Sequence, residues 1–180
     1  MKRILILNVL VMAVLGVSAQ DITLPRPATR LGVDLLSAVQ NRQAAKAFVK
    51  KAVSLDDLST VLWAGLGPRG AEAVTSATKS NRNISFSGDN PYINIYVLTD
   101  KGIWKYLPDT GTLKSLGSID ARASVSRSAI PDAAFMILFS VDNALTPSFL
   151  KANPAIFLQM SHATAGFSAQ NMALTASALK

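Results

Sequence analysis

No cysteine occurs anywhere in the 180 residues, and that absence narrows the ways in which the chain can hold a fold. It excludes a disulfide, a thiolate nucleophile and a cysteine metal site. The constraint tightens because the chain opens on a secretory leader. Lys2 and Arg3 form a basic n-region, and Ile4 to Leu15 is an apolar stretch interrupted only by Asn8. Val17-Ser18-Ala19 then supplies the small residues a signal peptidase needs, so residues 1–19 are expected to be removed before Gln20. The apolar run is too short for a membrane anchor, which takes roughly 20 residues. With no cysteine after the cleavage point, a lipid anchor is excluded as well. The mature chain is expected to be periplasmic or secreted, with no stable membrane anchor, held together by its core, a ligand or an oligomer interface.

About 161 residues remain after cleavage, enough for one domain with a sizeable core. Loss of Lys2 and Arg3 leaves 16 basic against 11 acidic residues, a net charge of +5 in place of +7. The cations are scattered and no aromatic-interleaved basic patch is present, which argues against a nucleic-acid partner and leaves room for a small phosphate-bearing molecule.

Residues 20–33 contain Pro25 and Pro27 and no periodicity, and read as an extended N-terminal arm. The domain proper spans 34–180. Asp34 to Gln40 predicts a short helix with Leu35, Leu36 and Val39 on one side. Ser54 and Asp57 form a capping box ahead of Leu55, Leu58, Leu62 and Leu66, and Gly65, Gly67 and Pro68 end that helix. Ala71 to Asn90 is polar and aperiodic, a functional or mobile loop by its length. Strands are expected over Tyr92–Thr99, Gly102–Tyr106 and Thr112–Leu116, the last two joined by a Pro108-Asp109-Thr110-Gly111 turn. Ile119 to Ser126 suggests a helical turn or two, and Ala133 to Val141 a strand buried on both faces. From Pro154 the pattern is helical to the end, apolar or small on nearly every side, as suits a core or a subunit interface. The fold class is α+β, a small, mainly antiparallel sheet packed with helices.

Side chains able to run a reaction unaided are scarce. His162 is the sole histidine and reads as a core or interface residue, not as a metal ligand. No pair of carboxylates stands out as acid and base, so a catalyst built on this chain needs a cofactor to carry the chemistry. Attention falls on Arg42 and Lys46, two cations four residues apart beside a helix. They can converge on one dianion, Arg as a bidentate fork and Lys as a point charge, or sit on an ordinary solvated turn.

Arg42 to Phe48 resembles the flavin-phosphate motif R-x-S-x-[RK]-x-F of the nitroreductase family. Leu55 to Leu58 with Val61-Leu62-Trp63-Ala64 is similar to the family's L-x-x-L-L-W-A-A helix. Arg82 to Tyr96 lies without a gap over R-T-A-P-S-A-x-N-x-Q-x-x-x-V-Y. Gly102 to Tyr106 looks like the G-x-Y-x-Y hairpin of the secreted, thiazoline-oxidase-like branch. Ala165 to Asn171 matches the A-G-x-x-x-Q-N helix of the dimer interface. The resemblance covers residues 34 to 180.

It implies a homodimer with FMN between subunits. Arg42, Gln43, Ala44 and Lys46 would contact the phosphate and ribityl chain, and Ser85, Ser87 and Asp89 of the other subunit would lie near the ring. The implied chemistry is hydride transfer from NAD(P)H or another donor to flavin N5, then to a small-molecule electron acceptor. The departures count too. Ala44 replaces a serine, removing a bond to phosphate of about 1–2 kcal/mol. Phe86 stands in place of serine and Asp89 in place of asparagine, and an ionised carboxylate there disfavours negative charge on the ring. The chain also stops at Lys180, where family members run on into a last strand, so a truncated C-terminus is expected. The alternative expectation is a cofactor-free binding or structural module on the same scaffold.

Overall fold

The fold is organised by one well-capped helix. Ser54 Oγ accepts the Asp57 N–H at 3.0 Å, which satisfies one of the free donors at the start of α2 (Leu55–Leu66). Leu58, Leu62 and Leu66 are buried, each stabilising by about 1.5–3 kcal/mol, whereas Leu55 at the mouth of the helix is exposed. The computed structural model describes residues 19–45, 47–49, 51–69, 81–125 and 132–179. The expected signal peptide apart from Ala19, the candidate Lys46 and part of the polar stretch after α2 lie outside them.

Among the described residues, five strands form one antiparallel sheet. They are β1 (Ile22–Thr23), β2 (Ile93–Leu98), β3 (Ile103–Leu107), β4 (Thr112–Gly117) and β5 (Met136–Val141), in the order β1-β4-β3-β2-β5. The expected hairpin is present, with Tyr106 opposite Leu113 and Leu107 opposite Thr112. At its far end Ile103 faces Gly117 while Trp104 faces Ser115, so Leu116 is an extra residue in β4, a β-bulge. Ile95, Val97, Trp104, Tyr106 and Leu113 turn one face of the sheet into the core shared with α2. The α+β expectation is met.

The arm is part of the sheet. Ile22 pairs with Leu113 and Thr23 with Thr112. Beyond the strand, Ser59 Oγ donates to the Pro25 carbonyl at 2.5 Å, and the Ala28 N–H donates to Thr60 Oγ1 at 3.0 Å. Two buried hydroxyls of α2 thus hold the proline-rich segment in place.

One reading needs correction. The Ala133–Val141 run is not buried on both faces: among the described residues its strand, β5, pairs only with β2, lies at the sheet edge and is half-buried along most of its length. The shared side of α1 (Leu35–Asn41) that carries Leu35, Leu36 and Val39 points outward, with Leu35 at 67% and Leu36 at 77% exposure, and only Ala38 of the helix is buried. His162 is exposed in the single chain. Two short helices, α3 (Arg122–Val125) and α4 (Ser148–Lys151), complete the described elements before the last one.

That last element, α5 (Pro154–Ala178), is capped by Asn153, whose side chain accepts the Ile156 N–H at 3.3 Å. Its buried residues are Ser161, Thr164, Ser168, Met172 and Ser177, while Ile156, Leu158 and Phe167 are exposed. The helix therefore turns four hydroxyls and Met172 inward, packs Phe157 and Met160 partly against the core, and leaves three large apolar groups outward. Two of the hydroxyls satisfy themselves on the preceding turn, Ser161 on the Phe157 carbonyl at 2.7 Å and Thr164 on that of Met160 at 2.8 Å. Thr164 also meets the buried Tyr92 hydroxyl at 3.1 Å.

The β2–β3 turn is fixed by backbone proximity. A Cβ at Gly102 would overlap the Gly117 carbonyl oxygen, and it would stand 3.1 Å from the Trp104 ring. At Gly117 itself a Cβ would meet nothing within 4 Å. Gly102→Ala is therefore expected to destabilise the fold by about 1–3 kcal/mol and Gly117→Ala by less than about 0.5 kcal/mol, as read by urea denaturation.

Candidate functional site

Arg42 sits where α1 stops. Its backbone N–H bonds the Ala38 carbonyl at 3.0 Å as the helix C-cap, with φ −67° and ψ 120°. The chain then leaves in an extended course through Gln43 and Ala44, and all three side chains are exposed. Arg42 makes no ion pair among the described residues, so its guanidinium is open to an external anion.

The second segment is held from inside. Ile84 is buried, and Phe86 packs against the core cluster. Alternation leaves Ser85 exposed and Ser87 half-buried, with Asp89 exposed beyond them. Gly88 has φ +88°, and a Cβ there would lie 2.5 Å from the Pro147 ring. Only glycine suits both the conformation and the space. Phe86, which breaks the expected motif, is thus an anchor for the segment.

Asparagines supply the other anchor. Asn83 Nδ2 donates to the Trp63 carbonyl at 2.9 Å. Asn171 Nδ2 of α5 donates to the carbonyls of Ala64 at 3.2 Å and Asn83 at 3.0 Å. One amide therefore ties α5, the end of α2 and the start of the serine segment together. Pro68 bridges Arg82 in antiparallel fashion, and the Asn83 N–H bonds the Gly67 carbonyl at 3.1 Å. The two flanks of residues 70–80 are pinned side by side.

Arg82 is the charged residue that sequence reasoning passed over. It is buried at 3% exposure and paired with Asp109 of the β3–β4 turn. Both border a cavity of about 200 Å³ together with Tyr106 and Asn94. Burial pushes the Tyr106 phenol well above its ordinary range, with Arg82 opposing the shift and Asp109 adding to it. Tyr106 is therefore a neutral hydrogen-bonding group throughout the physiological range. The sequence carried half of the signal, because Asp109 occupies the predicted turn, but nothing local revealed that Arg82 would face it.

A larger cavity, of about 470 Å³, opens at the other end of the sheet beside the start of α2. Neither cavity is lined by Arg42, Gln43 or Ala44, nor by Ser85, Ser87 or Asp89. Ser87 apart, which is half-buried, the described members of these two groups are exposed, and Lys46 is outside the described residues. Among the described residues no cluster of three or more His, Asp and Glu side chains could hold a metal ion, and no helix is long and apolar enough to cross a membrane.

Comparison with solved structures identifies the architecture. A candidate nitroreductase from Ralstonia eutropha JMP134 aligns over 91% of this chain and 74% of its own, with a TM-score of 0.74 and 23% identity. The fold is nitroreductase-like. A second candidate nitroreductase, from Anabaena variabilis ATCC 29413, aligns over 79% of this chain but only 30% of its own length, with a TM-score of 0.57 and 18% identity. No family model matches the sequence, and no curated protein matches it either.

The Arg82–Asp109 pair gives a direct test of how the serine segment is held. Asp109→Asn removes the charge opposite a buried guanidinium. It is expected to lower stability by about 1–3 kcal/mol, measured by thermal or chemical denaturation, and to speed proteolysis between residues 69 and 81.

Proposed function

We propose that the chain is an exported, FMN-dependent oxidoreductase of the nitroreductase type that works as a homodimer. The observation that carries the proposal is the likeness of fold to the Ralstonia candidate nitroreductase across 91% of this chain. The ordered sequence motifs from Arg42 to Asn171 support it independently. FMN, when bound, would supply two-electron chemistry between a donor, NAD(P)H or another reductant, and a small-molecule acceptor.

The residues present are compatible with that cofactor. Arg42 offers an unpaired guanidinium at the end of α1, suited to a bidentate grip on phosphate. Gln43 and Lys46 extend the same strip of chain, although Ala44 withholds the hydroxyl a serine would add. Ser85 and Ser87 offer hydroxyls from a segment stiffened by Phe86 and Asn171. Asp89 disfavours negative charge close to it and so favours a neutral ring edge. The protein's share of catalysis is to bind, orient and exclude water.

A dimer is supported by the apolar residues that α5 leaves exposed. Ile156 and Phe167 fall on one helix face three turns apart, both about half-exposed, and Leu35, Leu36 and Val39 of the adjoining α1 are exposed too. An apolar surface on a helix pair is a docking face for another chain, and Arg42 stands at the end of the same α1. The prediction is a dimer by light scattering, shifted to monomer by Phe167→Asp.

FMN titration of the purified protein tests the cofactor directly. Saturable binding with altered flavin emission is expected, and Arg42→Ala should weaken it by about 10- to 100-fold, the equivalent of a charged hydrogen bond. Absence of saturable binding at micromolar FMN would remove the enzyme reading and leave a cofactor-free module on the same scaffold.

A further inference from the structure

The cavity of about 470 Å³ falls within the ~300–1,000 Å³ typical of small-molecule sites, and none of the candidate flavin residues contributes to it. Its floor is apolar, formed by Val97, Trp104 and Leu113 of three adjacent strands with Leu58 of α2 and Phe135 beside β5. Its edge is charged. Lys51 and Lys101 are there, and so are Asp100 and Asp132, and none of these four side chains makes an ion pair or a hydrogen bond with another described residue, although Asp100 lies within the field of Arg122. Arg122, also on the edge, is committed elsewhere. It holds Asp120 at 2.7 Å and donates to the Ala133 carbonyl, fixing the wall that leads into Phe135. The Arg122 side-chain and backbone donors hold the Asp120 carboxyl down at about 2, so this clamp stays ionised at any working pH.

An apolar floor ringed by two ammonium groups and two carboxylates selects among ligands. A neutral hydrocarbon would shield four charged groups from water and return nothing to them. A phosphate or dicarboxylate would meet Asp100 and Asp132 as well as the lysines. A molecule with an apolar body and one charge of each sign satisfies both halves of the edge. We propose that this cavity binds a small apolar zwitterion, a free aromatic amino acid or an aromatic dipeptide, whose side chain lies on Trp104 and Phe135 while its termini meet the charged edge.

Calorimetric titration of the purified protein with L-phenylalanine and with L-phenylalanyl-L-phenylalanine distinguishes the two sizes. Saturable one-to-one binding of either is expected. N-acetylation and C-terminal amidation should each weaken it at least about tenfold, or about 1.4 kcal/mol. Ala134→Trp, which places an indole in the opening, should abolish binding. Lys101→Gln, on the exposed β2–β3 turn, should weaken the unmodified probe and leave the amidated one unchanged. Saturating FMN should leave the titration as it was, and a failure of FMN to bind would not affect it. No saturable binding of either probe overturns the proposal. So does binding indifferent to acetylation, amidation and Ala134→Trp, or competition by FMN.

Discussion

Gly65 is the point at which α2 and α5 approach each other most demandingly. A single added Cβ there would overlap the Met172 side chain and come within 3.0 Å of Ser168 Oγ. At this close approach α5 presents the Met172 side chain and the small hydroxyl of Ser168 to α2. The sheet then packs on the leucines of α2, and Asn171, one residue before Met172, reaches the Ala64 carbonyl and pins the serine segment. A helix–helix distance thus sets the position of the segment proposed to face a flavin.

The same contact explains the hydroxyls on the inner side of α5. They are tolerable inside because Ser161 and Thr164 return their hydrogen bonds to the helix itself and Tyr92 adds a cross-link to Thr164. Ser168 is fully buried and its Oγ has no hydrogen-bond partner among the described residues, a local cost accepted for the close approach of Gly65. Ile156, Leu158 and Phe167 are left exposed on the outer side.

Local chemistry made much of this legible. The Ser54 cap and leucine stripe located α2, Asn153-Pro154 located the start of α5, and the Pro-Asp-Thr-Gly turn located the β3–β4 hairpin. What failed depended on neighbours distant in sequence. The apolar run of β5 has the composition of a central strand, and composition does not say how many strands lie beside it. The inward side of α5 was hidden because its apolar residues are divided between two faces, Met172 inward and Phe167 outward, and Gly65 across the contact leaves room for Met172 and Ser168. Arg82 lay in a polar stretch, and its burial follows from a carboxylate 27 residues later. Arg42, Gln43, Ala44, Ser85, Ser87 and Asp89 were legible as a pattern, yet none of them lines either of the two cavities described above.

The N-terminal arm has a consequence for how the chain is made. Its partners lie far ahead: Trp104 Nε1 donates to the Gln20 carbonyl across 84 positions, and the Ser115 N–H donates to the Asp21 carboxylate across 94. At a ribosomal pace of ~5–20 residues per second, those first residues wait roughly 5–20 seconds before a docking partner exists. Through that interval the arm has no strand to pair with, and the sheet can close over it only afterwards.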